Sequence, residues 1–126
     1  MVLESRLTET NPVLDRRERA IRAIRTLLER DLCVDHDLDR LAREAGLSPA
    51  TFRRHWRRIV GTPPRRYVLQ QRMQRARRLL VETDLQIAEI AAALSFRDPL
   101  YFSRRFRTTV GVTATAYRRT HRLPGR

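Results

Sequence analysis

A chain of 126 residues with a hydrophobic fraction of 41% allows one domain or two very small ones, and it excludes wholesale disorder. The formal charge of +13 and a pI near 11.6 point to a polyanionic partner. A single cysteine, Cys33, excludes an internal disulfide and a Cys-rich zinc site. No apolar run reaches the roughly 20 residues that cross a bilayer. The start MVLESRLTETNP lacks the basic-then-apolar order of a signal peptide, so a cytoplasmic protein with no membrane partner is expected.

All 27 basic residues are arginine. Arginine forks bidentately onto phosphates and guanine edges, which suits nucleic acid, although a GC-rich genome produces the same bias. The distribution is more telling. Ten of the 14 acids lie before Leu47. From Ser48 to Val81 there are ten arginines and no acid, and from Pro99 to Arg126 seven arginines and no acid. Two basic zones separated by a short acidic interval fit two contact surfaces.

Residues 1–14 read as a polar tail ending in Asn11-Pro12 and two apolar residues. A first helix is predicted over Asp15 to Arg30, with Ile21, Ile24, Leu27 and Leu28 at helical spacing. Cys33 and His36 have a metal-like spacing that no second pair completes, so no metal or other cofactor is implied. A second helix is predicted from a cap at Asp37 to about Ala45, with Leu38, Leu41 and Ala42 inward, and Gly46 ends it. After Gly46-Leu47-Ser48 comes SPATFRRHWRRIV, with Ser48 as cap and Pro49 at the first helical position. Phe52, Trp56 and Ile59 make an apolar stripe, and the four arginines 53, 54, 57 and 58 point elsewhere. Alone, this stretch reads either as a core helix with a solvated face or as a helix that enters a DNA groove. His55 reads as a flank of the stripe, with a phosphate contact as its functional alternative.

Gly61-Thr62-Pro63-Pro64 stops this helix, and a long one follows from Pro64 to about Glu82. Tyr67, Val68, Met73, Ala76, Leu79 and Leu80 form its inner side. Arg72, Arg75 and Arg78 read as a solvated or salt-bridged face, and Tyr67 and Tyr117 as packing residues. Asp84 or Gln86 caps the next helix, which turns Ile87, Ile90, Ala91 and Leu94 inward. Ser95 to Asp98 forms the turn, Pro99 opens a helix to about Val110, and a last short helix spans about Ala114 to Thr120.

The two halves repeat. Leu41-Ala42 falls on Ile90-Ala91 at an offset of 49, with Gly46 on Ser95 and Leu47 on Phe96. One extra residue in the second turn makes the offset 50, which puts Phe52 on Phe102, Arg54 on Arg104, Trp56 on Phe106, Gly61 on Gly111 and Tyr67 on Tyr117. The predicted fold is therefore all-α, about seven helices in two helix-turn-helix subdomains joined by a long linker helix. Its parts are a tail (1–14), a first subdomain (15–62), the linker helix (63–82), a second subdomain (83–121) and a C-terminal tail (122–126). A linker of roughly 28 Å suits two helices that must enter major-groove segments about 34 Å apart. Two head-to-tail units in one chain also predict a monomer on an asymmetric site.

These residues resemble the DNA-binding domain of the AraC/XylS family of bacterial transcription regulators. The resemblance runs from about Ile21 to Arg119. It rests on LDRLAREAGLS, the Phe52–Trp56 pair and GTPPRRYVLQQRMQRARRLL in the first half, and on IAEIAAALSF, DPLYFSRRFR and GVTATAYR in the second. It implies a sequence-specific double-stranded DNA-binding regulator, an activator in the first instance, of the short stand-alone type or the DNA-binding piece of a longer regulator. The family favours glycine at Ser95, proline at Ala114, phenylalanine at Trp56 and an apolar residue at His36. By motif position, Ala50, Arg53 and Arg54 would face base edges, and Arg57 and Arg58 phosphates. The matching positions of the second unit are Pro99, Leu100, Ser103 and Arg104 toward bases and Arg107 toward phosphate. More sequence readout is expected from the first unit and more backbone anchoring from the second.

An enzyme is disfavoured, since there is no Gly-rich phosphate loop, paired carboxylate site or nucleophile–base set. A basic helical RNA-binding protein is the alternative from another class, but the eight aromatics fall mostly on inner faces rather than outside for stacking. RNA polymerase is a compatible further partner, because activators of this family engage both it and DNA.

Overall fold

Helical periodicity decides the architecture. The computed structural model describes residues 12–122, and among them seven α-helices follow one another without a strand. They are α1 (Pro12–Arg30), α2 (Leu38–Glu44), α3 (Pro49–Val60), α4 (Pro64–Glu82), α5 (Ile87–Ala93), α6 (Pro99–Val110) and α7 (Ala114–His121). The expected tail overlaps α1, which starts at Pro12, three residues ahead of Asp15. Proline at a first helical position is the reason, since it forfeits no intrahelical bond there. The rest of that tail, and residues 123–126 of the other, lie outside the described residues. Arg122 is not tail: its N–H closes α7 on the Arg118 carbonyl at 2.9 Å, and its guanidinium pairs with Asp84.

The chain forms two compact units. Of the described residues, those up to 30 and 36–65 make the first, and 31–35 with those from 66 onward make the second. In the first, α1 and α2 pack on α3. Ile21, Ile24 and Leu28 of α1, Ala42 of α2, Leu47 of the turn, and Phe52 and Trp56 of α3 are all buried. Each large apolar side chain withdrawn this way stabilises the unit by about 1.5–3 kcal/mol. The outer side of α1 carries i,i+4 pairs, Arg22 with Glu18 at 3.6 Å and Arg25 with Glu29 at 3.1 Å.

The helix read as a linker supplies a wall of the second core. Met73, Ala76 and Leu80 of α4 join Ile90, Ala91 and Leu94, Phe102 and Phe106, and Ala114 in one apolar cluster. Of the two readings for Arg72, solvated or salt-bridged, the second holds: it pairs with Asp35 at 3.9 Å, and it is not solvated. Its side chain is only 15% exposed, its Nε donates to the Leu32 carbonyl at 2.7 Å, and its guanidinium lies 5.9 Å from the Phe96 ring centroid. The long aliphatic stem lets the cation cross apolar surface to reach a backbone acceptor. Arg118 acts similarly at the other end of α4, donating to the carbonyls of Leu80 (3.0 Å) and Thr83 (3.2 Å). Those are carbonyls a helix C-terminus leaves without internal partners.

The repeat read from the sequence is a repeat of backbone geometry. In both turns an N–H reaches back five residues, Leu47 to Ala42 and Phe96 to Ala91, each at 2.9 Å. Gly46 and Ser95 take the same left-handed conformation, with φ of 80° and 66°. Leu47 and Phe96, Phe52 and Phe102, and Trp56 and Phe106 are buried as pairs.

Candidate nucleic-acid interface

Each unit presents one helix built to the same plan. In α3, Ser48 Oγ accepts from the Thr51 N–H at 3.2 Å and Pro49 follows the cap. In α6, Asp98 Oδ1 accepts from the Leu100 N–H at 2.9 Å and Pro99 follows it. Both helices end in a left-handed glycine, Gly61 (φ 93°) and Gly111 (φ 97°). The rings of Phe52 and Trp56 lie 5.7 Å apart, and those of Phe102 and Phe106 6.0 Å. Trp56 Nε1 donates to the Thr62 carbonyl at 2.7 Å, tying α3 to the turn that stops it. Burying the aromatic edge inward forces the opposite edge outward.

On α3 that outer edge carries Ala50, Arg53, Arg54, Arg57 and Arg58, all exposed. Arg53 Nη1 reaches Asp39 Oδ1 of α2 at 3.3 Å. Among the described residues, neither Arg54 nor Arg57 has a carboxylate within ion-pairing distance. On α6 the edge is chemically different. Pro99, Leu100, Arg104 and Arg107 are exposed, and Ser103 is half-buried. Leu100 is 58% exposed and its neighbour Tyr101 52%, so an apolar pair stands outside at the start of this helix. Tyr101 was missed in the sequence, where it reads as part of the aromatic run leading to Phe102.

His55 corrects the reading of it as a flank, because it is 6% exposed. Its position, three residues after Phe52, lies on the inner stripe, which was the available signal. Nδ1 stands 3.2 Å from Arg58 Nη2. Burial, then the charges of Arg58, Arg17 and Arg54, hold the imidazole below its ordinary pKa. A guanidinium only donates, so Nδ1 accepts and the proton of the neutral ring sits on Nε2.

The architecture is shared with known proteins. The family described as helix-turn-helix domain matches residues 41–120. A transcriptional activator of a Rhodococcus species, NphR, is 38% identical over 87 residues, which is 69% of this chain and 26% of that protein. The AraC-type transcriptional regulator of Chromobacterium violaceum has a crystal structure that superposes with a TM-score of 0.74 at 27% identity, covering 91% of this chain and all of that one. The chain belongs to the AraC-type helix-turn-helix family.

The DNA-binding domain of AdpA, solved in complex with a target DNA, superposes on this AraC-type domain with a TM-score of 0.73 at 30% identity, covering 80% of this chain and 91% of that one. The domain spans about a quarter to a third of the length of the first curated relatives it matches. Among the described residues, no three His, Cys, Asp or Glu side chains gather as metal ligands, and no helix is long and apolar enough to cross a membrane.

Proposed function

We propose that this chain binds double-stranded DNA sequence-specifically and regulates transcription, as an activator, with α3 and α6 as recognition helices in successive major-groove segments. The observation that carries this is the paired construction of α3 and α6. Each is capped, opened by proline, closed by glycine and plugged by two aromatics, so that each turns a bare outer edge to solvent. The likeness to a domain solved on its target DNA supports the same reading.

In this reading Ala50, Arg53 and Arg54 face bases from α3, while Arg57 and Arg58 hold phosphates. Pro99, Leu100, Ser103 and Arg104 face bases from α6, and Arg107 holds phosphate. Arginine bidentate to guanine discriminates by about 1–3 kcal/mol, whereas exposed Leu100 suits a thymine methyl. Arg53 pairs with Asp39 at 3.3 Å, so base contact would exchange an exposed ion pair for a guanine edge. The chain acts as a monomer on an asymmetric site in the bacterial cytoplasm, and RNA polymerase is the further partner through which it activates.

Selection from a pool of random duplexes tests this. We expect an enriched site with two parts one helical turn apart, bound with an affinity that falls steeply with salt. Equal affinity for every duplex, or preference for single-stranded RNA, rejects it. The RNA alternative has little support in the fold, since Phe52, Trp56, Phe96, Phe102 and Phe106 are all buried.

A further inference from the structure

We propose that His55 is the positioning residue for Arg58: its unprotonated imidazole, buried behind the first recognition helix, holds that guanidinium at the phosphate-facing edge, and the contact is lost when the ring takes up a proton. This rests on the DNA-binding reading above and adds a residue and a sensitivity to it.

The geometry carries the argument. Arg58 is exposed at the last turn of α3, where a long flexible side chain ordinarily samples many rotamers. Here Nη2 is held at 3.2 Å by Nδ1 of a ring that is almost wholly buried. A fixed acceptor behind the guanidinium leaves its remaining N–H groups for a phosphate and removes part of the ordering cost of binding. An imidazolium has no acceptor, so protonation replaces the hydrogen bond with a like-charge contact. Among the described residues, the charged groups that face His55 are Arg17 from α1 and Arg54 and Arg58 from its own helix, all cationic. The second unit has no such device: at the offset of 50, Arg105 and Thr108 occupy the places of His55 and Arg58.

The sign of the effect makes it testable. Added positive charge ordinarily tightens DNA binding, so acidification by itself is expected to strengthen it. Loss of a positioned Arg58 weakens it. The experiment is fluorescence anisotropy of the full chain on its selected duplex at constant ionic strength from pH 7.5 to 5.0, with circular dichroism confirming the fold at each pH. We expect affinity to fall on the order of fivefold toward the acid end of this range, below the ordinary histidine value, because burial and the three arginines hold the folded ring's titration down. In His55→Asn, which offers an acceptor with no proton to gain, the fall disappears, and it disappears equally in Arg58→Ala. Proton-detected NMR of the wild type reports the ring directly: its Nδ1 is bare at pH 7.5, and its titration coincides with the loss of affinity. An affinity that is flat or rises on acidification, a fall that persists in His55→Asn or Arg58→Ala, or a ring already protonated at pH 7.5 overturns the proposal while leaving DNA binding intact. Failure to bind any duplex at pH 7.5 overturns the functional reading itself, and this proposal with it.

Discussion

Ser95 holds φ at 66°, a conformation that costs a residue with a Cβ about 1–2 kcal/mol. Its hydroxyl offsets part of that by donating to the Cys33 carbonyl, while Cys33 Sγ donates to the Ala93 carbonyl at 3.0 Å. The family's usual glycine would remove the strain and the bond together. Ser95→Gly is therefore expected within about 1 kcal/mol of wild type, and Ser95→Ala, which keeps the strain and loses the bond, about 1 kcal/mol below it in urea unfolding. The left-handed serine was legible in the sequence from its alignment with Gly46. Its compensating bond was not, because Cys33 lies 62 residues away. His55 poses the complementary case. Burial first, then Arg58, Arg17 and Arg54, disfavour its charged form in the folded state. The unfolded chain takes up the proton near 6.5, so stability is full above that pH and declines as pH falls below it toward the folded value. Thermal unfolding at pH 7.5 and 5.5 should show a smaller acid-induced drop for His55→Asn than for wild type.

At the scale of elements, the helices were legible because their punctuation is local. Caps at Asp37, Ser48 and Asp98, prolines at 49, 64 and 99, and glycines at 46, 61 and 111 all do in the fold what their chemistry implies. Gly61 and Gly111 test that punctuation cleanly. A Cβ at either position would meet no atom within 4 Å, so Gly61→Ala and Gly111→Ala should each cost only the backbone term, about 1–2 kcal/mol. What connects one helix to another was not legible. Arg72 and Arg118 look like surface arginines in any window of sequence, and only the folded chain brings Leu32 to one and the end of α4 to the other. Arg118→Met keeps the aliphatic stem and leaves the Leu80 and Thr83 carbonyls without their charged donor. Its expected cost is about 1–2 kcal/mol, read from the denaturant midpoint of the whole chain.

At the scale of the whole molecule, two units of one plan carry two different surfaces. The outer edge of α3 is nearly all guanidinium, while that of α6 opens with Pro99, Leu100 and Tyr101 and has arginine only from Arg104 onward. The shared plan buries Ala42 with Ala91, Leu47 with Phe96, Phe52 with Phe102 and Trp56 with Phe106, while the exposed positions of the two units differ. Two unlike readers in one chain have no two-fold axis, so the proposed site has two unlike parts, and inverting one part relative to the other should reduce affinity to that of a single part. The same asymmetry separates the arginines. Arg54→Ala should relax base preference only in the part read by α3, and Arg104→Ala only in the part read by α6, each by about 1–3 kcal/mol of discrimination. Arg58→Ala should instead weaken binding to all duplexes alike and lower the salt slope by about one ion. Repeating the duplex selection with each variant and measuring its salt dependence decides the assignment. Were Arg54→Ala and Arg58→Ala to give the same selected sequences and the same slope, the division of α3 into base-facing and phosphate-facing arginines would be wrong, even with DNA binding itself secure.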